Sequence, residues 1–175
     1  DGRICYWGRI PDVLRKAGYT VYFGCQDGNA SVETNAVMLK KRLCDVIAES
    51  GAEKVHIIAH SKGGLEARYL ISTLKMGKYV ASVTTIQTPH NGSKTMDKLM
   101  KIPKPLMKFG CLVTDVIHRI SGDKKPETYR CLEQRTTAWA REFNAANPDV
   151  SGIKYRSCAF RMKSALSDVM FSVPY

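Results

Sequence analysis

At 175 residues, with 44% apolar, 25% charged and 9% aromatic residues, the chain has the composition of one globular domain able to bury a core, which excludes a disordered polypeptide. It contains no apolar run of 18 or more residues, so no transmembrane helix is expected. Its 27 Lys and Arg against 16 Asp and Glu give a formal charge of +11, which favours anionic partners: nucleic acid, acidic lipid headgroups or an interface carrying fatty-acid products.

In chain order, Ile10 to Ala17 predicts a short helix with Pro11 near its first turn, stopped by Gly18. Tyr19 to Gly24, β-branched and aromatic, predicts a strand. Ser31 can cap a longer helix with Val32, Ala36, Leu39, Leu43, Val46 and Ile47 on one face, ended by Gly51. Val55 to Ala59 predicts a strand buried on both faces of a parallel sheet, which would make His56 a core or helix-contact residue. A helix is expected from Lys62 to Leu74 and a strand from Val80 to Ile86. The stretch from Asn91 to Lys125, broken by Pro103 and Pro105, predicts an irregular insertion. One helix is then expected from Thr128 to Ala146, before Asn147 and Pro148, and a last strand from Ile153 to Phe160. Strands alternating with helices predict an α/β fold with a parallel sheet.

Six cysteines, Cys5, Cys25, Cys44, Cys111, Cys131 and Cys158, stand far apart with no CxxC or CxxH pair, so structural zinc is not expected. Free thiols, most of them in the core, are the expectation, because a domain of this size needs no staples. No internal repeat or signal peptide is evident. The compartment stays undetermined.

Chemistry concentrates at Val55-His56-Ile57-Ile58-Ala59-His60-Ser61-Lys62-Gly63-Gly64, where an apolar strand runs straight into a serine and then into a helix. This is the pattern of a nucleophile elbow, with alanine in the first small position. A turn that tight strains the serine backbone and leaves little room two residues either side, at Ala59 and Gly63. Ser61 would present its hydroxyl above the sheet edge, and the backbone N–H of Lys62 would point where a carbonyl oxygen develops negative charge. Gly64 would let the helix approach the sheet closely. The alternative is a strand-to-helix turn that merely packs or holds a phosphate, but no GxGxxG or GxxxxGK[ST] surrounds Ser61. Thr88-Pro89-His90-Asn91-Gly92-Ser93 places a second tight turn after the Val80 to Ile86 strand, at the sheet edge where α/β folds bind ligands.

Together with Tyr6-Trp7-Gly8, Ile10-Pro11 and Ala67-Arg68-Tyr69, these two blocks resemble the bacterial triacylglycerol lipases and esterases of the α/β-hydrolase fold. The resemblance implies acyl-ester hydrolysis with Ser61 as nucleophile, the Lys62 N–H as one oxyanion donor, and Ala59, His60, Gly63 and Gly64 supporting the elbow. It makes Thr88, Pro89, His90 and Gly92 a loop beside the site, with His90 structural rather than the general base. It places the catalytic acid and histidine beyond Tyr175 and the second oxyanion donor before Asp1, so the chain is expected to be an internal portion of a longer lipase, nearly inactive by itself. Asp149 and Asp168 lie nearest the region of the acid without matching it.

The resemblance also makes the chain a single, partial α/β-hydrolase domain with a lid insertion at about 94 to 125. That segment carries Met96, Met100 and Met107 among Lys94, Lys98, Lys101, Lys104, Lys108, Lys124 and Lys125, so it could lie on a lipid interface; a solvated basic loop is the alternative. His118 within it would be interfacial. The expected partner is a lipid or ester substrate, with no cofactor and no calcium or zinc, because no ligand cluster supports either. Nucleic acid is not expected, since no RNP, zinc-finger or helix-turn-helix pattern accompanies the charge. An acyltransferase or thioesterase on the same elbow, and a non-catalytic basic binding module, are the competing functions. Oligomeric state is open.

Overall fold

A computed structural model of the chain describes residues 6–160. Asp168 and Cys5 lie outside the described residues. Helix α1, Ile10–Lys16, has Pro11 in its first turn and is buried mainly through that proline. Helix α2, Val32–Ser50, starts where the Ser31 side chain accepts a hydrogen bond from the Thr34 N–H at 3.2 Å, and ends at Gly51 with φ 67°. That positive φ suits glycine, which has no Cβ to collide with the neighbouring carbonyl.

Three parallel strands form one sheet in the order β1-β2-β3: β1 Val55–His60, β2 Val80–Ile86 and β3 Lys154–Cys158. Ile57 pairs with Val83, which pairs with Tyr155, so β2 is the central strand. Helix α3, Lys62–Ser72, connects β1 to β2. Four helices connect β2 to β3: α4 Lys94–Leu99, α5 Lys104–Ile120, α6 Thr128–Glu133 and α7 Thr137–Ala146.

The core joins Leu43 of α2 to Ala59 of β1, Ala67, Leu70 and Ile71 of α3, and Val80 and Val83 of β2. A second cluster, Val32, Leu65 and Phe143, ties α2 and α3 to α7, with Trp139 stacked on Phe143 at 4.7 Å. The expected inner face of α2 is the face that packs, with Val32, Ala36, Leu43 and Val46 buried.

Elsewhere the structure departs from expectation. Tyr19 to Gly24 forms no strand, because no chain within the described residues offers its backbone a ladder. β1 is buried on one face only: Ala59 points into the core while His56 and Ile58 are exposed, since α3 packs against one side and no described element covers the other. His56 is therefore not a core residue; its Nδ1 lies 2.8 Å from Ser82 Oγ across the β1–β2 ladder. The 91–125 stretch is mostly helical. Pro103 and Pro105 begin α5 rather than breaking it, because proline in a first helical turn forfeits no helical hydrogen bond. The helix expected over 128–146 is split, with Thr136 capping α7 by accepting from the Trp139 N–H at 3.3 Å. Of the described cysteines, all free, Cys111 and Cys131 are buried while Cys25, Cys44 and Cys158 are exposed, so most do not lie in the core. Cys44 falls on the outer face of α2, and Cys158 ends a strand whose neighbours are solvated.

Candidate functional site

The turn between β1 and α3 has the strained geometry that the small-residue pattern predicts. Ser61 adopts φ 52° and ψ −128°, a conformation that side-chain-bearing residues rarely take and that persists only where surrounding structure imposes it. The Ser61 N–H donates to the Ile86 carbonyl at 2.9 Å and its own carbonyl accepts from the Gly64 N–H at 3.1 Å, so the strained residue is clamped on both sides. Its hydroxyl makes no capping bond to α3. Ser61 is partly exposed. The Lys62 N–H opens the first turn of α3, where no preceding helical carbonyl is available to accept it and the helix dipole presents its positive end.

Packing around the elbow is uneven. A Cβ added at Gly63 would meet only the Ala59 Cβ, at an ordinary 3.8 Å, so a methyl fits there. A Cβ at Gly64 would fall on Thr88 Oγ1, 2.7 Å from Thr88 Cγ2 and 2.9 Å from Thr85 Cγ2. Gly64 is thus where α3 meets the loop of the second sequence block. Gly92 fixes the far end of that loop: it has φ 74°, and a Cβ there would lie 2.6 Å from the Thr136 carbonyl carbon. Pro89 lies between them, its carbonyl accepting from the Gly92 N–H at 2.9 Å. The Thr88 hydroxyl, wedged over Gly64, is buried without a hydrogen-bond partner among the described residues.

His90 is committed to the scaffold. Arg68, which can only donate, lies 3.4 Å from His90 Nδ1, so Nε2 carries the proton and donates to Thr85 Oγ1 at 3.0 Å. The Thr85 hydroxyl in turn donates to the Arg156 carbonyl at 3.2 Å, and Asn144 donates to the His90 carbonyl at 2.8 Å. Burial, reinforced by the Arg68 charge, holds the imidazole below its ordinary value of 6.5, which favours the neutral ring. A cleft of about 390 Å³ lies beside it, lined by Arg68, Asn144, Asp149 and Tyr155 among others, and does not include Ser61. The remaining histidines are also engaged. Tyr6 OH hydrogen-bonds His60 Nδ1, which brings the Tyr6-Trp7-Gly8 loop against the elbow, and His118 Nδ1 lies 3.3 Å from Asp123 Oδ2.

One feature of the site has no signature in the sequence: the Lys62 side chain is buried. Its Nζ donates to the Ala30 carbonyl and pairs at 2.9 Å with Glu66 Oε1, one helical turn on. Asn35 Nδ2 donates to the same Glu66 oxygen and to the Asp27 carbonyl, both at 2.8 Å. The elbow is thereby bolted to the loop before α2. The i,i+4 spacing of Lys62 and Glu66 is visible in the sequence, but a solvated pair has the same spacing. Among the described residues no group of three His, Cys, Asp or Glu side chains could hold a metal ion.

A family model described as palmitoyl protein thioesterase matches residues 19–149, three-quarters of the chain, including the elbow and the Thr88 to Gly92 loop. The chain belongs to this family. It is 32% identical over 162 residues to triacylglycerol lipase 2 of Saccharomyces cerevisiae, covering 89% of this chain and 46% of that protein. It is 39% identical over 106 residues to the triacylglycerol lipase of Pseudarthrobacter phenanthrenivorans, covering 57% of this chain and 31% of the relative. The chain thus spans less than half the length of these curated relatives. Among solved structures it is similar to the metagenomic carboxyl esterase MGS0156, with a TM-score of 0.68 at 18% identity over 93% of this chain and 47% of that one. It is also similar to the mature Bacillus licheniformis lipase BlEst2, with a TM-score of 0.61 at 19% identity over 85% and 56% of the two chains. These likenesses identify the fold expected from the sequence, that of the α/β-hydrolases.

Proposed function

We propose that this family member is a serine hydrolase of carboxylic esters, in which Ser61 attacks the acyl carbonyl and the Lys62 N–H helps hold the developing oxyanion. The observation that carries this reading is the Ser61 backbone at φ 52° and ψ −128° on a strand-to-helix turn, with the hydroxyl left out of the helix cap. A fold does not maintain such strain at a serine without compensation, and a hydroxyl held there with a helix N-terminus behind it supports the role of nucleophile. Triacylglycerol-type lipids are the substrate class suggested by the curated relatives.

The proton acceptor comes from outside the described residues. Each of the four histidines is engaged elsewhere: His56 with Ser82, His60 with Tyr6, His90 with Arg68 and Thr85, and His118 with Asp123. Loss of a triad member typically costs about four to six orders of magnitude, so the 175 residues alone should hydrolyse esters barely above background. In the intact enzyme a histidine takes the Ser61 proton and returns it to the departing alkoxide, so that the alcohol leaves and the acyl-enzyme forms; water, activated by the same histidine, then releases the acid and restores the serine. In this reading residues 94–125, with α5, serve as the lid.

The experiment is labelling of the intact protein with a fluorophosphonate. The reading expects covalent modification at Ser61, absent in Ser61→Ala, whereas a folded protein that is not labelled there would refute it. A second reading, thioester hydrolysis by the same serine, is favoured by the description of the matching family. Comparing kcat/KM for an acyl ester and an acyl thioester of equal chain length separates the two.

A further inference from the structure

Helix α5 shows its apolar side to solvent. Leu106 is 65% exposed, Phe109 66%, Ile117 57% and Ile120 83%, and with Val113 and Val116 they keep the three- and four-residue spacing of a single stripe. The opposite side of the helix is the one that packs, through buried Cys111. An exposed apolar stripe of this length marks a surface that meets another apolar phase.

The charges around the stripe indicate which phase. Between residues 94 and 125 there are eight Lys and Arg and three Asp. All three aspartates are bound to backbone N–H groups of the protein. Asp97 accepts from the Thr137 N–H at 2.9 Å and the Thr137 hydroxyl at 2.8 Å. Asp115 accepts from the Thr128 N–H at 2.8 Å, and Asp123 accepts from the Gly28 and Asn29 N–H groups at 3.1 and 3.0 Å. Lys108 and Arg119 remain exposed on one flank of the stripe, and Lys101 and Lys104 are exposed at its start. The negative charges are spent on positioning the segment and the outward field is positive.

We infer that α5 docks this protein on lipid surfaces bearing anionic phospholipid headgroups, the stripe entering the acyl boundary while Lys101, Lys104, Lys108 and Arg119 contact headgroup phosphates. The inference deepens the lipid-hydrolase reading, on which it rests for the identity of the phase, by selecting the kind of surface on which that enzyme works. A neutral droplet would satisfy the stripe and leave the basic flank without a counterpart. A second copy of the chain would bring two positive fields together, a like-charge juxtaposition that disfavours association. Lysines beside an exposed apolar helix face instead match an interfacial amphipathic helix, in which apolar burial and electrostatic attraction add.

The test is co-sedimentation of the intact protein with vesicles of phosphatidylcholine alone and of equal parts phosphatidylcholine and phosphatidylglycerol, at low and high salt. Each lysine or arginine near an anionic surface multiplies the partition about fivefold, so the four basic side chains should make binding stronger by about several hundredfold on the anionic vesicles. By the same factor Lys101→Gln/Lys104→Gln/Lys108→Gln should lower it about a hundredfold there and leave weak binding to phosphatidylcholine unchanged. Phe109→Gln/Ile117→Gln should weaken binding to both vesicles, with circular dichroism unaltered. Equal binding to both compositions, or binding insensitive to both variants, would overturn the inference. So would absence of vesicle binding, with or without dimers that Phe109→Gln/Ile117→Gln dissociates. Vesicle binding needs no turnover, so a protein that docks but resists fluorophosphonate would lose the hydrolase reading and keep the anionic surface.

Discussion

The elbow and the 94–125 segment are held in place by opposite means. Around Ser61, position is imposed by contact: Gly64 against Thr88 and Thr85, the Ser61 N–H on β2, and a buried Lys62–Glu66 pair reaching to Ala30. Around α5, the apolar side chains face water and the segment is tied down by carboxylates on backbone N–H groups, Asp97 on Thr137 at one end and Asp123 on Gly28 and Asn29 at the other. A packed region resists displacement, which is what the proposed nucleophile would require. A region held mainly by polar bonds, at its ends and through Asp115 on the Thr128 N–H, can be released at modest cost, which is what the proposed lid would require.

On that contrast, the largest stability loss comes from uncoupling Lys62. Lys62→Met leaves Glu66 buried with Asn35 but without its cation, and breaking such a pair costs about 3–5 kcal/mol. The double variant Lys62→Met/Glu66→Gln removes the orphaned charge and should recover most of the loss. Urea denaturation of the two variants measures both. A single variant within about 1 kcal/mol of the parent would mean that the pair is effectively solvated.

Gly64→Ala comes next. Its methyl would overlap Thr88 and Thr85, and overpacking of this sort costs about 1–3 kcal/mol. Gly63→Ala is the control, since its methyl meets Ala59 at contact distance. Gly64→Ala should also impair any Ser61 labelling more than its stability loss explains, because the helix supplying the Lys62 N–H would shift.

A smaller effect comes from acid. His90 titrates below its ordinary value because burial, and then Arg68, disfavour the charged ring. The folded chain therefore binds that proton less readily than the unfolded chain. Stability contributed at this position is complete above about pH 6.5 and declines as the pH falls from there toward the folded value. Burial raises Asp123 and Glu127, but hydrogen bonds from Gly28 and Asn29, and from Ser31 and Thr34, outweigh it and leave both below the usual carboxylate range. Their contribution is present above the unfolded carboxylate pKa and disappears on further acidification, so the segment's tether weakens at lower pH than the His90 network. A denaturation series against pH should show two limbs, and His90→Asn should remove the upper one.

The same division governs what is legible in the residues alone. β2, α2 with its Ser31 and Gly51 boundaries, and the turn at Ser61 are each dictated locally, by β-branching, by a cap or by small side chains at fixed offsets. Burial is less legible. The apolar run of β1 is the same whether or not an element covers His56 and Ile58, and Lys62 carries no local mark of burial. Nor do Pro103 and Pro105 by themselves distinguish the end of a helix from its beginning. The residues on their C-terminal side decide it, and there the apolar positions from Leu106 to Ile120 recur at helical spacing.

The smallest effect has the opposite sign and separates the two regions most cleanly. Gly110 lies inside α5, where a Cβ would meet nothing within 4 Å, and its φ is not positive, so glycine is required there neither by space nor by backbone. Gly110→Ala should stabilise the protein by about 0.5–1 kcal/mol, the usual gain from removing an interior helical glycine, as thermal or urea denaturation would measure. The identical chemical change at Gly64 is destabilising, so the sign of glycine-to-alanine maps which parts of the chain are packed and which are presented. If Gly110→Ala also strengthens vesicle binding, glycine at this position keeps α5 from being fully preformed; if binding is unchanged, α5 meets the surface already folded, as its unbroken helix from Lys104 to Ile120 implies.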